Sequence, residues 1–381
     1  MSSQPRQIRS GLVARIHSVA SPLITSVVAV LIALLVGAII ILLSGQDPVT
    51  AFRALFTGAF GDKRAIGETL VLSSPLLFAG LAFAVAFRAG MFNIGAEGQL
   101  IMGGLAAGIV GAWDLHLPLL IHLPLALLAA AIVGGIWGGI PGVMKARTGA
   151  HEVITTIMFN YLAYEVNAYA VNEAGSWLPV NPMLQATDPV RASAKLPNIL
   201  PGTRLHAGFL LALVAAVILW YLLFRTTFGY QIRTVGLSRG AAAYAGISWG
   251  RTVILAMFAS GLLAGLGGAG ETLGLQGRHY NIQPGYGFTA IAVSLVGRNH
   301  PYGIILAALL FGMLRSGATE MQNVAGTSKE LVQVLQALVI LAVSAVASIE
   351  YLRARRRHRR PADASAPATI GMGPDVEQPV I

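Results

Sequence analysis

Cysteine is absent from the 381 residues. Disulfides, thiolate catalysis and cysteine metal sites are therefore excluded. Charge is scarce: Asp, Glu, Lys and Arg make up 11% of the chain, against roughly a quarter in an ordinary soluble protein. No GxxxxGK[ST] stretch occurs, so the backbone cradle for nucleotide phosphates is missing and any ATP hydrolysis belongs to another chain. The intervals between apolar runs are too short for a soluble catalytic or nucleotide-binding domain.

What is present is apolar. Hydrophobic residues make up 55% of the chain, and mean hydropathy is +0.69. Several runs approach the roughly 20 residues that cross a hydrocarbon core. A β-barrel would show short alternating segments instead. The expected fold is an all-α polytopic membrane protein with about ten transmembrane helices, near 22–43, 67–87, 92–112, 118–144, 151–172, 206–224, 251–272, 286–298, 301–318 and 330–349. The eighth is short, nearer half a helix. Residues 1–21 read as a cytoplasmic segment before an uncleaved first span, because the run Pro22 to Leu43 is too long for a signal-peptide core. Residues 22–349 form the membrane domain, with an inner loop at about 225–250. Residues 350–381 form a basic, disordered cytoplasmic tail whose arginines sit against anionic lipid.

The net charge of +10 does not indicate nucleic acid. The basic residues are scattered over loops and tails around the spans, and the positive-inside rule accounts for them. With both termini cytoplasmic, inner segments hold far more Lys and Arg than outer ones. The outer segment Glu173 to Leu205 is proline-rich and expected to be irregular but partly ordered.

Two motifs imitate chemistry. HEVIT at His151 to Thr155 begins like a zinc-protease helix, but position 155 would have to be His, so no metal is expected. GLGGAG at Gly265 to Gly270 matches G-x-G-x-x-G without the preceding strand that a dinucleotide site needs. Close helix packing accounts for it, as for the GxxxG pairs Gly261/Gly265, Gly134/Gly138 and Gly104/Gly108.

Polar groups within the spans are more informative. In HEVITTIMFNYLAYEVNAYAVN, Thr156, Asn160, Tyr164 and Asn167 recur at i, i+4, i+8 and i+11 on one helical face. Tyr161 and Glu165 lie beside it. Such a stripe should face the bundle interior or a water-filled path, although amides and hydroxyls also bond across helices as glue. Asn with Tyr suits a flat polar solute. In FRAGMFNIGAEGQLIMGG (87–104), Gly90 breaks a helix, Asn93 can cap the next, and Glu97 suits the positive end of that helix. Asn93 and Glu97 are also candidates for an inner gate. Arg315 is expected to snorkel to the interface, and Glu271 and His279 to be solvated.

The inner loop TTFGYQIRTVGLSRGAAAYAGI (226–247) joins Arg233 and Arg239 to Gly240, Ala241, Ala242 and Gly246 in an A-A-x-x-x-G pattern. A short cationic helix of this kind lies on a membrane or docks in a partner's groove. The loop resembles the coupling-helix region of ABC-importer permeases, although Gly240 stands where that consensus often has Glu. FRAGMFNIGAEGQLIMGG, HEVITTIMFNYLA (151–163) and YGFTAIAVSLVGRNHPYG (286–303) look like signature segments of the nucleoside and simple-sugar permeases of the branched-chain amino acid and ribose type, particularly the purine-nucleoside uptake kind. The resemblance covers about residues 25–350. It implies uptake of nucleosides or related ribosides, with simple sugars as the alternative. It also implies a second permease subunit, a cytoplasmic ATPase that carries the ATP and magnesium, and an extracytoplasmic substrate-binding lipoprotein. No cofactor is expected on this chain, and its place is the cytoplasmic membrane. An ion-coupled transporter would need buried ionisable groups near the midplane, for which only Glu165 and Glu97 qualify. A membrane-embedded enzyme would need facing His, Asp or Glu clusters, which the spans lack.

Overall fold

The computed structural model describes residues 28, 30–172, 178–328, 330–342 and 345. The N-terminal segment 1–21, the tail 350–381 and parts of the first and last expected spans lie outside the described residues. The chain is mostly helical. In order the helices are α1 (Val30–Leu43), α2 (Pro48–Phe60), α3 (Lys63–Arg88), α4 (Ala96–Ala112), α5 (Leu119–Thr148), α6 (Glu152–Asn172), α7 (Gly208–Arg225), α8 (Thr227–Leu237), α9 (Arg239–Tyr244), α10 (Trp249–Ala269), α11 (Tyr286–Val296), α12 (Pro301–Ala325) and α13 (Glu330–Ala342). Each of the ten apolar stretches carries helix where it is described. Five helices are long and apolar enough to cross a bilayer by length and composition: α3, α5, α7, α12, and α10 with its continuation to Gln276.

Helix α3 is the axis of the bundle. Every residue from Leu76 to Ala86 is buried, as expected for a helix that is apolar all round. α10, α11 and α12 pack around it. A second seam joins α4, α5 and α10 through glycine. A Cβ at Gly261 would lie 2.1 Å from the Gly134 carbonyl, and one at Gly103 2.3 Å from Gly265 Cα. Backbones touch there, so van der Waals contact replaces the hydrophobic drive that lipid does not supply. The GLGGAG stretch belongs to this seam. Gly104 meets α10 as expected, its N 2.7 Å from where a Cβ of Gly268 would be, but Gly104 and Gly108 also leave room for the His279 side chain, 2.7–2.9 Å from where their own Cβ atoms would be.

α2 is a helix that the hydropathy pattern left unassigned. Asp47 caps it by accepting from Val49 N at 3.1 Å and Thr50 N at 2.9 Å, and Pro48 occupies the first position, the usual grammar of a helix start. It packs on α12, where a Cβ at Gly317 would lie 2.3 Å from the Leu55 carbonyl. α12 runs to Ala325, past the expected end, and Gly326 at φ +64° closes it. α10 continues as a π-helical turn, Gly270–Gln276.

The described part of the proline-rich segment, 178–205, is irregular but tied down. A two-residue hairpin pairs β1 (Val180–Asn181) with β2 (Ala186–Thr187). Thr187 N donates to the His279 carbonyl and Arg191 N to the Gly111 carbonyl.

Candidate functional site

The polar stripe of α6 divides into two faces. Thr156, Asn160 and Asn167 are buried, and Tyr164 is half-buried. Tyr161 is 62% exposed, and Glu165 is exposed on the same side. The buried members act as fasteners. Asn160 Oδ1 accepts from Gly98 N at 2.8 Å, and its Nδ2 donates to the Ile94 carbonyl at 3.0 Å. It thereby satisfies an amide in the first turn of α4, which has no partner within its own helix. The Thr156 hydroxyl donates to the Glu152 carbonyl at 2.8 Å and accepts from Ile94 N at 3.3 Å.

Asn93 does not cap α4 as expected. Gly95 occupies that position without a side-chain cap. Asn93 Oδ1 instead accepts from Gly95 N at 2.9 Å, and its Nδ2 donates to Ser260 Oγ at 2.8 Å on α10. Ser260 in turn donates to the Ala82 carbonyl of α3 at 2.7 Å. The break after Gly90 is therefore a polar knot joining α3, α4, α6 and α10.

Glu97 does lie in the first turn of α4, yet its carboxylate serves another helix. One oxygen accepts from Gly285 N at 2.7 Å and the other from Gly287 N at 2.6 Å. These amides open α11, so Glu97 caps a helix far away in sequence. Gly287 is required for this approach, since a Cβ there would lie 2.2 Å from Glu97 N.

At the opposite end of α6, Asn167 Nδ2 donates to Asn281 Oδ1 at 3.2 Å. His279 Nε2 donates to Asn167 Oδ1 at 3.0 Å, and its Nδ1 accepts from the Thr272 hydroxyl at 3.2 Å. His279 is buried, not solvated as expected, and burial pushes its ring pKa down to about 4. Arg315 does not snorkel. Its Nη2 donates to the Pro284 carbonyl at 3.4 Å, its guanidinium lies 4.6 Å from the centre of the Tyr286 ring, and its Nη1 is enclosed without a partner. It lines a cavity of about 840 Å³ between α2, α3 and α12, together with Arg64, Glu68, Arg204, Thr319 and Glu320. Sequence reasoning missed this cavity, although Arg315 within an apolar run was a signal.

The inner loop folds as two helices. Ser238 separates them, its Oγ accepting from Ala241 N at 3.3 Å. Ala242 is buried beside Met91, Val253 and Met257, while Gly240 and Ala241 face outward. Arg239 lies 3.8 Å from the centre of the Trp249 ring, and Arg233 lies over Phe224. Gly246 is beyond the helix at φ +72°, with nothing near its missing Cβ. Leu237 and Tyr244, which the motif did not single out, are 88% and 98% exposed. The loop touches the bundle closely, since a Cβ at Gly236 would lie 2.1 Å from the Arg88 carbonyl. Arg88 donates from Nε and Nη2 to the Asn299 carbonyl at 3.1 and 3.0 Å, at the turn between α11 and α12.

The family described as branched-chain amino acid transport system / permease component matches residues 65–344. The guanosine ABC transporter permease protein NupP of Bacillus subtilis is 40% identical, covering 91% of this chain and 99% of that protein. The nucleoside ABC transporter permease protein NupB of Lactococcus lactis is 34% identical over 85% of this chain and 91% of its own. The glucose ABC transporter permease protein TsgB13 of Haloferax volcanii is also 34% identical, covering 84% and 87%. No solved structure matches.

Proposed function

Because the chain belongs to the branched-chain amino acid transport system permease family, we propose that it is the membrane permease subunit of an ATP-driven importer for nucleosides or related ribosides. The observation that carries this reading is the 40% identity to a guanosine permease over 91% of the chain. The polar residues of α6 fit a polar solute. The 34% identity to a glucose permease favours a second reading, in which the solute is a simple sugar.

The partners are a second permease subunit, a cytoplasmic ATPase that binds ATP and magnesium, and an extracytoplasmic binding lipoprotein. In this reading ten spans put both termini on one side, the excess of Lys and Arg in the segments on that side makes it the cytoplasm, and the α8–α9 segment then faces the ATPase. Exposed Leu237 and Tyr244 beside Arg239, Gly240 and Ala241 suit a groove on that partner. Gly246 ends the docking segment. Motion of α8 reaches α3 where Gly236 meets Arg88, and passes to the α11–α12 turn through Asn299. The binding lipoprotein delivers solute to the outer face, and ATP binding shifts the spans between two states that differ in exposure.

The solute path follows α6. A carboxylate facing lipid is expensive, so the face bearing Tyr161, Glu165 and part of Tyr164 is covered by water or by the second permease. Asn93, Glu97, Thr156, Asn160 and Asn167 hold the wall behind it.

The test is labelled-guanosine uptake by cells that express the complete importer and lack other nucleoside uptake. Unlabelled nucleosides compete, and ribose and glucose do not. Competition by sugars alone would replace this reading with the second.

A further inference from the structure

The cavity beside Arg315 is at the end of the bundle opposite α8 and α9. α3 runs from one to the other: Arg64 and Glu68 line the cavity, while Arg88 meets Gly236. With the α8–α9 segment at the ATPase, this opening faces outward. Its volume of about 840 Å³ falls within the range of small-molecule sites, about 300–1,000 Å³.

Some lining charges are already engaged. Arg204 holds Glu68 by Nε at 3.1 Å and by Nη2. Others are not. Among the described residues, Arg64, Thr319 and Glu320 meet no hydrogen-bonding or ionic partner. Glu320 is held in the wall because α2 carries Gly58 opposite it, where a Cβ would lie 2.5 Å from Glu320 Cβ. Arg315 is five positions earlier on α12, about 7–8 Å deeper at the helical rise. On its inner side Arg315 lies against the Pro284 carbonyl and the Tyr286 ring, where α11 opens.

Two groups of complementary character sit at two depths. A carboxylate near the mouth accepts from adjacent hydroxyls. A guanidinium below it, with Nη1 enclosed and Nη2 on the Pro284 carbonyl, offers its charge and its remaining N–H donors to ring acceptors such as the O6 and N7 of guanine. A molecule with a cis-diol at one end and a flat ring bearing acceptors at the other matches both. We propose that this cavity is the outer chamber in which the chain first holds its solute, a purine nucleoside, with Glu320 on the ribose hydroxyls and Arg315 on the base. The proposal rests on the nucleoside-import reading and names the entry to that path.

The absence of cysteine allows a direct test. Thr319→Cys puts a single thiol in the chamber, and Thr57→Cys, on α2, is the second choice if the first does not assemble. The complete importer in membranes, with the binding lipoprotein omitted, is treated with a maleimide. At guanosine about ten times its Kd, labelling slows about tenfold, because about one chamber in eleven remains empty. Ribose and 2′,3′-dideoxyguanosine do not protect. Adding Glu320→Gln removes the protection, and a thiol from Met183→Cys, at a 96% exposed position, is labelled equally with and without guanosine. Equal protection by the dideoxy compound, protection that survives Glu320→Gln, or no protection although the complete importer takes up guanosine would overturn the chamber and leave the import reading standing. An importer that takes up no nucleoside would remove the import reading, and the chamber with it.

Discussion

Glu97→Gln is the substitution that most directly probes how the bundle is held together. Both carboxylate oxygens accept from backbone amides that open α11, at 2.7 and 2.6 Å, and the side chain is fully buried. Glutamine keeps the volume and one acceptor, but turns an NH2 group toward the second amide. One charge-assisted bond, about 1.5–3 kcal/mol, is lost, and an amide is left without a partner at about 1–3 kcal/mol. These contributions overlap, so a net loss of about 3 kcal/mol is expected. Loss of the favourable charge at the helix N-terminus acts in the same direction. Unfolding of the purified protein in detergent, followed by intrinsic fluorescence against temperature or denaturant, should show the loss as an earlier transition. Glu165→Gln, on the exposed face of α6, should leave that transition in place. If Glu97→Gln unfolds within about 0.5 kcal/mol of the parent, the range of an ordinary surface change, Glu97 does not hold α11 and the reasoning fails.

Asn160→Leu removes the partners of Gly98 N and the Ile94 carbonyl; a loss of about 2–4 kcal/mol should lower the amount of assembled protein in membranes along with uptake, as immunoblotting alongside transport would read. His206 and His279 are held neutral, with burial pushing each pKa down from 6.5 to about 4. The unfolded chain therefore binds protons first as pH falls. Stability is complete above about pH 6.5 and declines toward pH 4, by up to about 3 kcal/mol for each ring. Melting curves at pH 7.5 and 5 should show the decline, and His279→Gln should flatten it. Gly246→Glu meets a left-handed backbone at φ +72° in open space; the protein should assemble normally while ATP-driven uptake falls, and normal uptake would remove the docking role.

The positions of the helices were legible because apolar runs, caps and breaks are local. Asp47-Pro48 marked α2, but its modest length and polar surroundings kept it below the hydropathy signal of a span. The 3.6-residue period placed Thr156, Asn160 and Asn167 on one face of α6. It did not separate them from Tyr161 and Glu165, because adjacent positions differ by a rotation that only the neighbouring helices convert into burial. His279 read as a loop residue at a wet boundary. The small residues Gly104 and Gly108 made the space that buries it, and nothing local links them.

By itself the sequence determined that this is a cysteine-free, multi-pass helical membrane chain, where most of its helices run, and that its 226–247 loop forms a short basic helical segment. Each of these follows from composition, hydropathy or spacing within a few turns. Tertiary structure alone decided what the polar side chains do. The partners of Glu97 are 188 and 190 residues away, Asn93 reaches Ser260 on α10, and Asn167 meets His279 and Asn281 in the loop before α11. The Arg315 cavity exists only because α2, α3 and α12 meet. A helix announces its own faces through its period, but a buried carboxylate or amide takes its role from whichever backbone arrives opposite it.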